Sequence, residues 1–185
     1  INLITSFWIC AYYPASMEAR LEFDFKRQPK KDKIATSIII LALGLAFNLI
    51  TVDVFYLNIF EAPPPVAKYI GLVIFLFGYT IILFTMIQNE FAQSVVNIQD
   101  ERNQMLVDTG LYGYIRHPMY TGLMFLFSGI SLWLGSVFMA TIGTIILMLA
   151  FIPRILIEEE TLSGELNGYA AYLQRVKYRI IPKVY

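Results

Sequence analysis

Charged residues divide the chain into long uncharged runs. Ile1–Met17, Ile34–Val52 and Tyr69–Asn89 contain no charge. Pro118–Pro153 contains none over nearly twice the length a helix needs to cross the hydrocarbon core, about 20 residues. Gly135-Ser136 stands near the middle of that last run and predicts a helical hairpin with arms of about 17 residues, the lower limit for spanning. The pattern predicts an all-α chain of about five transmembrane helices that closes on this hairpin. Pro14 and the start at Ile1 read as a trimmed first helix. Pro63-Pro64-Pro65 breaks the chain between the second and third runs, since proline cannot continue a helix interior.

Composition agrees with the pattern. Of 185 residues, 57% are hydrophobic and 15% charged, where soluble domains carry about a quarter charged residues. Lys plus Arg and Asp plus Glu are 14 each, so no basic excess exists to hold a nucleic-acid backbone. One cysteine, Cys10, excludes an intramolecular disulfide framework. One histidine, His117, removes the usual metal-binding constellations, and no metal is expected.

The cations give the topology. Arg20, Lys26, Arg27, Lys30, Lys31 and Lys33 precede the second run, and Arg102 and Arg116 precede the fourth. Arg154, Arg175, Lys177, Arg179 and Lys183 follow the hairpin. Five spans with the N-terminus outside put all of these on one face and leave Lys68 opposite. The positive-inside rule makes that face the cytoplasm, together with the C-terminus. The chain reads as one domain over 1–185, with N-terminal spans in 1–89 and a catalytic half in 90–185. Within the first part, the basic segment 18–33 carries Leu21, Phe23 and Phe25 and reads as interfacial chain against membrane lipids.

Candidate chemistry lies in two polar clusters on the cytoplasmic side. In Gln99–Tyr120, Pro118 suits the first turn of a helix, which puts His117 at the cap beside unpaired N–H groups. Gly110 and Gly113 allow close backbone approach to a ligand. Tyr112, Tyr114 and Tyr120 fit either an aromatic belt or a ligand wall. In the second cluster Arg154 and Glu158 stand one turn apart, and either pair on the helix or face a ligand. Three glutamates, Glu158 to Glu160, at a helix C-terminus oppose the helix dipole and hint at a cationic or hydroxyl-bearing ligand.

The run Gly110-Leu111-Tyr112-Gly113-Tyr114-Ile115-Arg116-His117-Pro118-Met119-Tyr120-Thr121-Gly122 resembles the GxYxxxRHPxYxG signature of the isoprenylcysteine carboxyl methyltransferase and phospholipid methyltransferase superfamily. The acidic cluster resembles that superfamily's motif after the last span. The ending Gly168-Tyr169-Ala170-Ala171-Tyr172 and Arg175 to Pro182 is similar to its bacterial and archaeal branch. The resemblance covers about the C-terminal half. It implies an integral-membrane methyltransferase that uses S-adenosylmethionine (SAM) in a cytoplasmic pocket. By position it assigns SAM contacts to Gln99, to Gln104, Met105, Leu106 and Val107, and to Tyr112. It assigns others to His117, Pro118, Met119 and Tyr120, and to Glu158 with Glu159 as the neighbouring register. Relatives commonly have His where Gln104 stands. Arg154 matches an arginine implicated with the substrate carboxylate, and Arg116 and His117 join it as catalytic candidates.

The implied acceptor is lipid-linked or strongly apolar, with an isoprenylcysteine carboxylate first. A phospholipid amine and a small thiol or acid are the alternatives. A non-catalytic membrane scaffold or lipid-binding protein is the competing class, and the two motif clusters standing together argue against it. No GxGxxG fingerprint occurs, which sets aside a soluble Rossmann-type enzyme.

Overall fold

A computed structural model describes Tyr12, residues 30–91 and residues 104–184. The first expected span apart from Tyr12 and most of the basic segment lie outside the described residues, as does Gln99. Helix α1 covers Lys30–Val52 and continues as a π turn over Asp53–Leu57. Helix α2 covers Pro65–Gln88, and Pro65 sits in its first turn, where a missing N–H costs nothing. Helix α3 covers Pro118–Leu134; a π turn at Met139–Gly143 leads into α4, Thr144–Glu165. The short α5 covers Tyr169–Arg175.

Among the described residues, three segments are long and apolar enough to cross a membrane: Lys30–Leu57, Pro65–Gln88 and Met139–Glu165. The shorter apolar α3 accompanies them. The expected hairpin forms where the sequence placed it. Gly135 takes φ 112, a left-handed conformation that glycine adopts without strain, and its N–H caps the Ser131 and Leu132 carbonyls.

One boundary differs. The uncharged run ends at Pro153, yet α4 continues through it to Glu165. Arg154 and the three glutamates therefore ride on a continuous helix, with Arg154 buried rather than at a solvated end.

Helices α2 and α3 are antiparallel and meet through glycine. Gly71 faces Gly129 and Gly78 faces Gly122, each pair two turns along the seam from the other. A Cβ on Gly129 would lie 2.2 Å from the Phe75 nitrogen, and one on Gly78 would lie 2.4 Å from the Leu126 nitrogen. Such backbone approach is how membrane helices gain packing where lipid offers no hydrophobic drive. Helix α1 packs on α4 instead, around Ile50, Phe127, Leu147, Phe151 and Ile155. Outward-facing Ile40, Leu41 and Leu45 of α1 and Ile145, Ile146 and Leu149 of α4 are exposed, as befits a lipid-facing surface.

The far end, where α1 stops, is tied by Asp53. Its carboxylate accepts the Ile59 N–H at 3.1 Å and the Ser136 hydroxyl at 2.5 Å, and Ser136 Oγ accepts the Met139 N–H at 3.0 Å. One buried carboxylate thus joins the end of α1 to the second arm of the hairpin.

Candidate functional site

At the opposite end, α1 and α3 begin while α2 and α4 finish. Between them lies a cavity of about 390 Å³, within the range of small-molecule sites. Its walls include residues 104–107, Tyr112, Arg116 to Tyr120, Arg154 and Glu158. The two sequence clusters, separated by the whole hairpin, therefore meet in one place.

The 104–107 segment has no regular secondary structure. A 3₁₀ turn at Gly110–Gly113 follows and is pinned to the end of α2, where Gln88 Oε1 accepts the Leu111 N–H at 3.0 Å. The glycines here do other work than the sequence suggested. Gly110, at φ 59, makes room for the Gln88 amide, which a Cβ would strike at 2.5 Å. A Cβ on Gly113 would meet only ordinary contact, at 3.5 Å from the Asp108 carbonyl. Tyr112 is buried; its hydroxyl accepts from Asn89 and its carbonyl accepts the Tyr172 hydroxyl at 2.8 Å. Tyr114, by contrast, is exposed and does not line the cavity.

His117 occupies the cap position of α3 with its ring turned toward the acidic cluster. Nε2 lies 3.3 Å from Glu159 Oε1, and Nδ1 lies 3.8 Å from Glu158 Oε1. Met119 and Tyr120, in the first turn, carry N–H groups with no carbonyl of their own helix in front of them. The Tyr120 hydroxyl donates to Glu158 Oε2 at 3.1 Å, and its ring packs on Phe151.

The adjacent glutamates have separate surroundings. Glu158 lines the cavity with its side chain 29% exposed. Glu159 is buried behind it and accepts from Arg116 Nη1 at 3.0 Å and from Arg179 Nε at 3.0 Å. Arg116 also donates to the Val176 and Leu173 carbonyls, at 2.6 and 3.1 Å. Its guanidinium thus straps the end of α5 and the chain just after it to the loop before α3. Main-chain bonds add to that strap: the Arg116 N–H donates to the Tyr178 carbonyl and the His117 N–H to that of Arg179. The Thr121 hydroxyl donates to the Ile180 carbonyl at 2.7 Å.

Arg154 reaches across to α1, where Nη1 donates to Asp32 Oδ1 at 2.6 Å and also to the Thr36 hydroxyl oxygen. Asp32 belongs to the segment read as interfacial, yet it is fully buried. Its distant partner is the reason: α1 starts at Lys30, so Asp32 falls in the first helical turn facing α4.

Sequence reasoning missed the α1 wall of Thr36, Ile39, Ile40 and Leu43, and the far wall of Leu162, Leu166, Tyr169 and Tyr172. The α1 residues carry no signal, since an apolar stripe facing a ligand reads like one facing lipid. The tyrosines did carry one, a YxxY spacing that puts both rings on one face of α5. Burial pushes both phenols well above their ordinary pKa, aided at Tyr169 by Glu158 and Glu159. They remain neutral donors at any physiological pH.

No curated protein matches the chain by sequence. Among solved structures, that of the eukaryotic intramembrane Ras methyltransferase ICMT (isoprenylcysteine carboxyl methyltransferase) is similar, with a TM-score of 0.63 and 22% identity. The likeness covers 78% of this chain and 52% of that one, so this chain spans about half the length of that protein. At such identity the likeness speaks for the fold alone. The profile of the family described as phospholipid methyltransferase matches residues 66–166, from the first turn of α2 to the end of α4. That match takes in more than half of the chain, the glycine seam and both polar clusters included, and on it the chain belongs to the phospholipid methyltransferase family.

Proposed function

We propose that this protein is an integral-membrane methyltransferase that uses SAM and acts on a lipid-linked or apolar acceptor, with the cavity open to the cytoplasmic face. The observation that carries the reading is that one cavity joins a polar, tyrosine-rich wall to an apolar wall contributed by α1. The donor set suits SAM group by group. The first-turn N–H groups of Met119 and Tyr120 at the positive end of α3 suit its carboxylate. Glu158, held by the Tyr120 hydroxyl, suits the ammonium or the ribose hydroxyls. Tyrosine faces in the wall suit the sulfonium through cation–π attraction.

Bound SAM would supply an electrophilic methyl group. The chain's own part is to hold the two reactants in line and to keep water out, which is much of the catalysis of a displacement. Tyr120 orients the Glu158 carboxylate. Ile39, Ile40, Leu43 and Leu123 form an apolar wall against which a lipid tail can lie. Arg154 offers a cation to an anionic acceptor head, and a carboxylate acceptor needs no general base.

An isoprenylcysteine-like carboxylate is the acceptor that Arg154 favours. A phospholipid amine is the second reading, favoured by the family to which the chain belongs. Calorimetric titration with SAM in detergent or lipid tests the first step, and absence of binding would sink the enzyme reading in favour of a scaffold. Incubation with methyl-labelled SAM, vesicles of phosphatidylethanolamine and S-farnesylcysteine then separates the two acceptors by which takes the label.

A further inference from the structure

Arg154 lines the cavity from α4, but its charge is answered from α1. The Arg154 and Asp32 side chains are 5% and 0% exposed. Both Asp32 and Thr36 accept from the same nitrogen, Nη1. They stand one turn apart on α1 and so present a single face to α4. Thr36 lines the cavity beside Arg154, whereas Asp32 does not reach it. An arginine side chain has several rotatable bonds, and its planar fork is useful only when aimed. Two acceptors on a separate helix hold one corner of that fork, which fixes the plane and the edge it turns to the cavity.

We propose that Asp32, assisted by Thr36, is a positioning residue that aims the Arg154 guanidinium at the polar head of the methyl acceptor. The inference rests on the methyltransferase reading above and extends it to a carboxylate that touches neither reactant. A purely structural ion pair would hold α1 on α4 and leave turnover per folded molecule alone. A positioning pair would set turnover more than SAM binding, since Asp32 lies outside the cavity that Glu158 and the first turn of α3 line.

The test compares wild type with Asp32→Asn, Asp32→Glu, Thr36→Val and the double variant Asp32→Asn with Arg154→Lys. Each is assayed for thermal melting, SAM affinity and methyl transfer to S-farnesylcysteine and to phosphatidylethanolamine vesicles. Asp32→Asn is expected to lower kcat/KM for the acceptor roughly ten- to hundredfold, the scale of a misplaced reacting group. SAM affinity should change less, staying within about twofold, because Asp32 stands outside the cavity and reaches the SAM side of it only through Arg154. Asp32→Glu should restore part of the loss, and Thr36→Val should show a smaller loss of the same kind. In the double variant the Asp32 change should add little, since the fork it aims is already gone. Wild-type transfer by a folded Asp32→Asn protein, or fully additive losses, overturns the proposal. Should Asp32→Asn fail to fold, Thr36→Val decides by the same criteria. A wild-type protein that binds no SAM or labels neither acceptor overturns the methyltransferase reading itself, and the role of Asp32 falls with it.

Discussion

Helices α2 and α3 touch through bare backbone, with Gly71 against Gly129 and Gly78 against Gly122. At the cavity the chain is held by its longest polar side chains, which join residues 43, 60 and 122 positions apart. The seam depends on what is missing, namely any atom beyond Cα. The site depends on what is present, a set of charges each answered by another. The two regions should therefore fail differently. The seam has no tolerance for volume but is indifferent to ligand. The site tolerates changes of shape better than the loss of a partner, and its failures should appear in binding and turnover as well as in stability.

The largest effect is expected at the seam. Gly129→Leu drives a side chain into the Phe75 backbone and should cost roughly 3 kcal/mol or abolish the folded state, the upper range for overpacking. Thermal melting in detergent checks this. A variant that melts like wild type would show that the helices are not in backbone contact.

Glu159→Gln comes next. It leaves Arg116 and Arg179 facing a neutral amide, and breaking a buried charge partnership costs about 3 kcal/mol when the remaining charge cannot reach water. Arg179 is partly exposed, so the loss should fall near or below that figure. Hydrogen exchange should localise the loosening to the chain following α5. Uniform exchange throughout the protein would place Glu159 in the general core instead.

Glu158→Gln separates the two neighbours. It should weaken SAM binding by about 1–3 kcal/mol, the scale of a charge-assisted hydrogen bond, with little change in melting temperature. Equal effects of the two substitutions on both measurements would erase the distinction drawn between them.

The spans and the polar clusters were legible in the sequence, the glycine seam was not, and these limits have physical causes. Uncharged runs located α1, α2 and the hairpin because lipid permits few charges, and Gly135 marked the turn because its left-handed backbone favours glycine. The uncharged run stops at Pro153 and does not mark the end of α4 at Glu165, because neighbouring helices can sustain a proline within a membrane helix. The Asp32–Arg154 contact left no trace, since Asp32 stands among lysines and nothing local ties it to a residue 122 positions away. The RHPxY run and the glutamates were visible as clusters, and the cavity brings them together. Their separate partners depend on helix phase and could not be read from spacing alone.

Two smaller effects sharpen the comparison. Arg154→Lys keeps the charge but loses the fork, and should lower methyl transfer at least tenfold, about 1.4 kcal/mol in the barrier, with SAM affinity nearly unchanged. Steady-state kinetics with SAM titration checks it, and equal turnover would make Arg154 a helix-pairing residue. Gly44→Ala provides the control for the seam. Among the described residues nothing lies within 4 Å of a Cβ added here, so alanine should raise stability by up to about 1 kcal/mol through helix propensity. A destabilised Gly44→Ala protein would mean that all helix glycines here matter alike.

The chain that crosses from Val176 to Ile180 also sets an order of events during synthesis. The main-chain groups of Arg116 and His117 find their carbonyl partners on Tyr178 and Arg179, and Thr121 finds its own 59 positions later. Each described span has been made before those partners emerge from the ribosome. A nascent chain interrupted after α4 could already sit in the bilayer with its glycine seam closed, but it would lack the Arg179 that helps neutralise Glu159. Premature release would then leave an inert membrane bundle rather than an enzyme with a half-built pocket, and competence to bind a ligand would arrive in one late step.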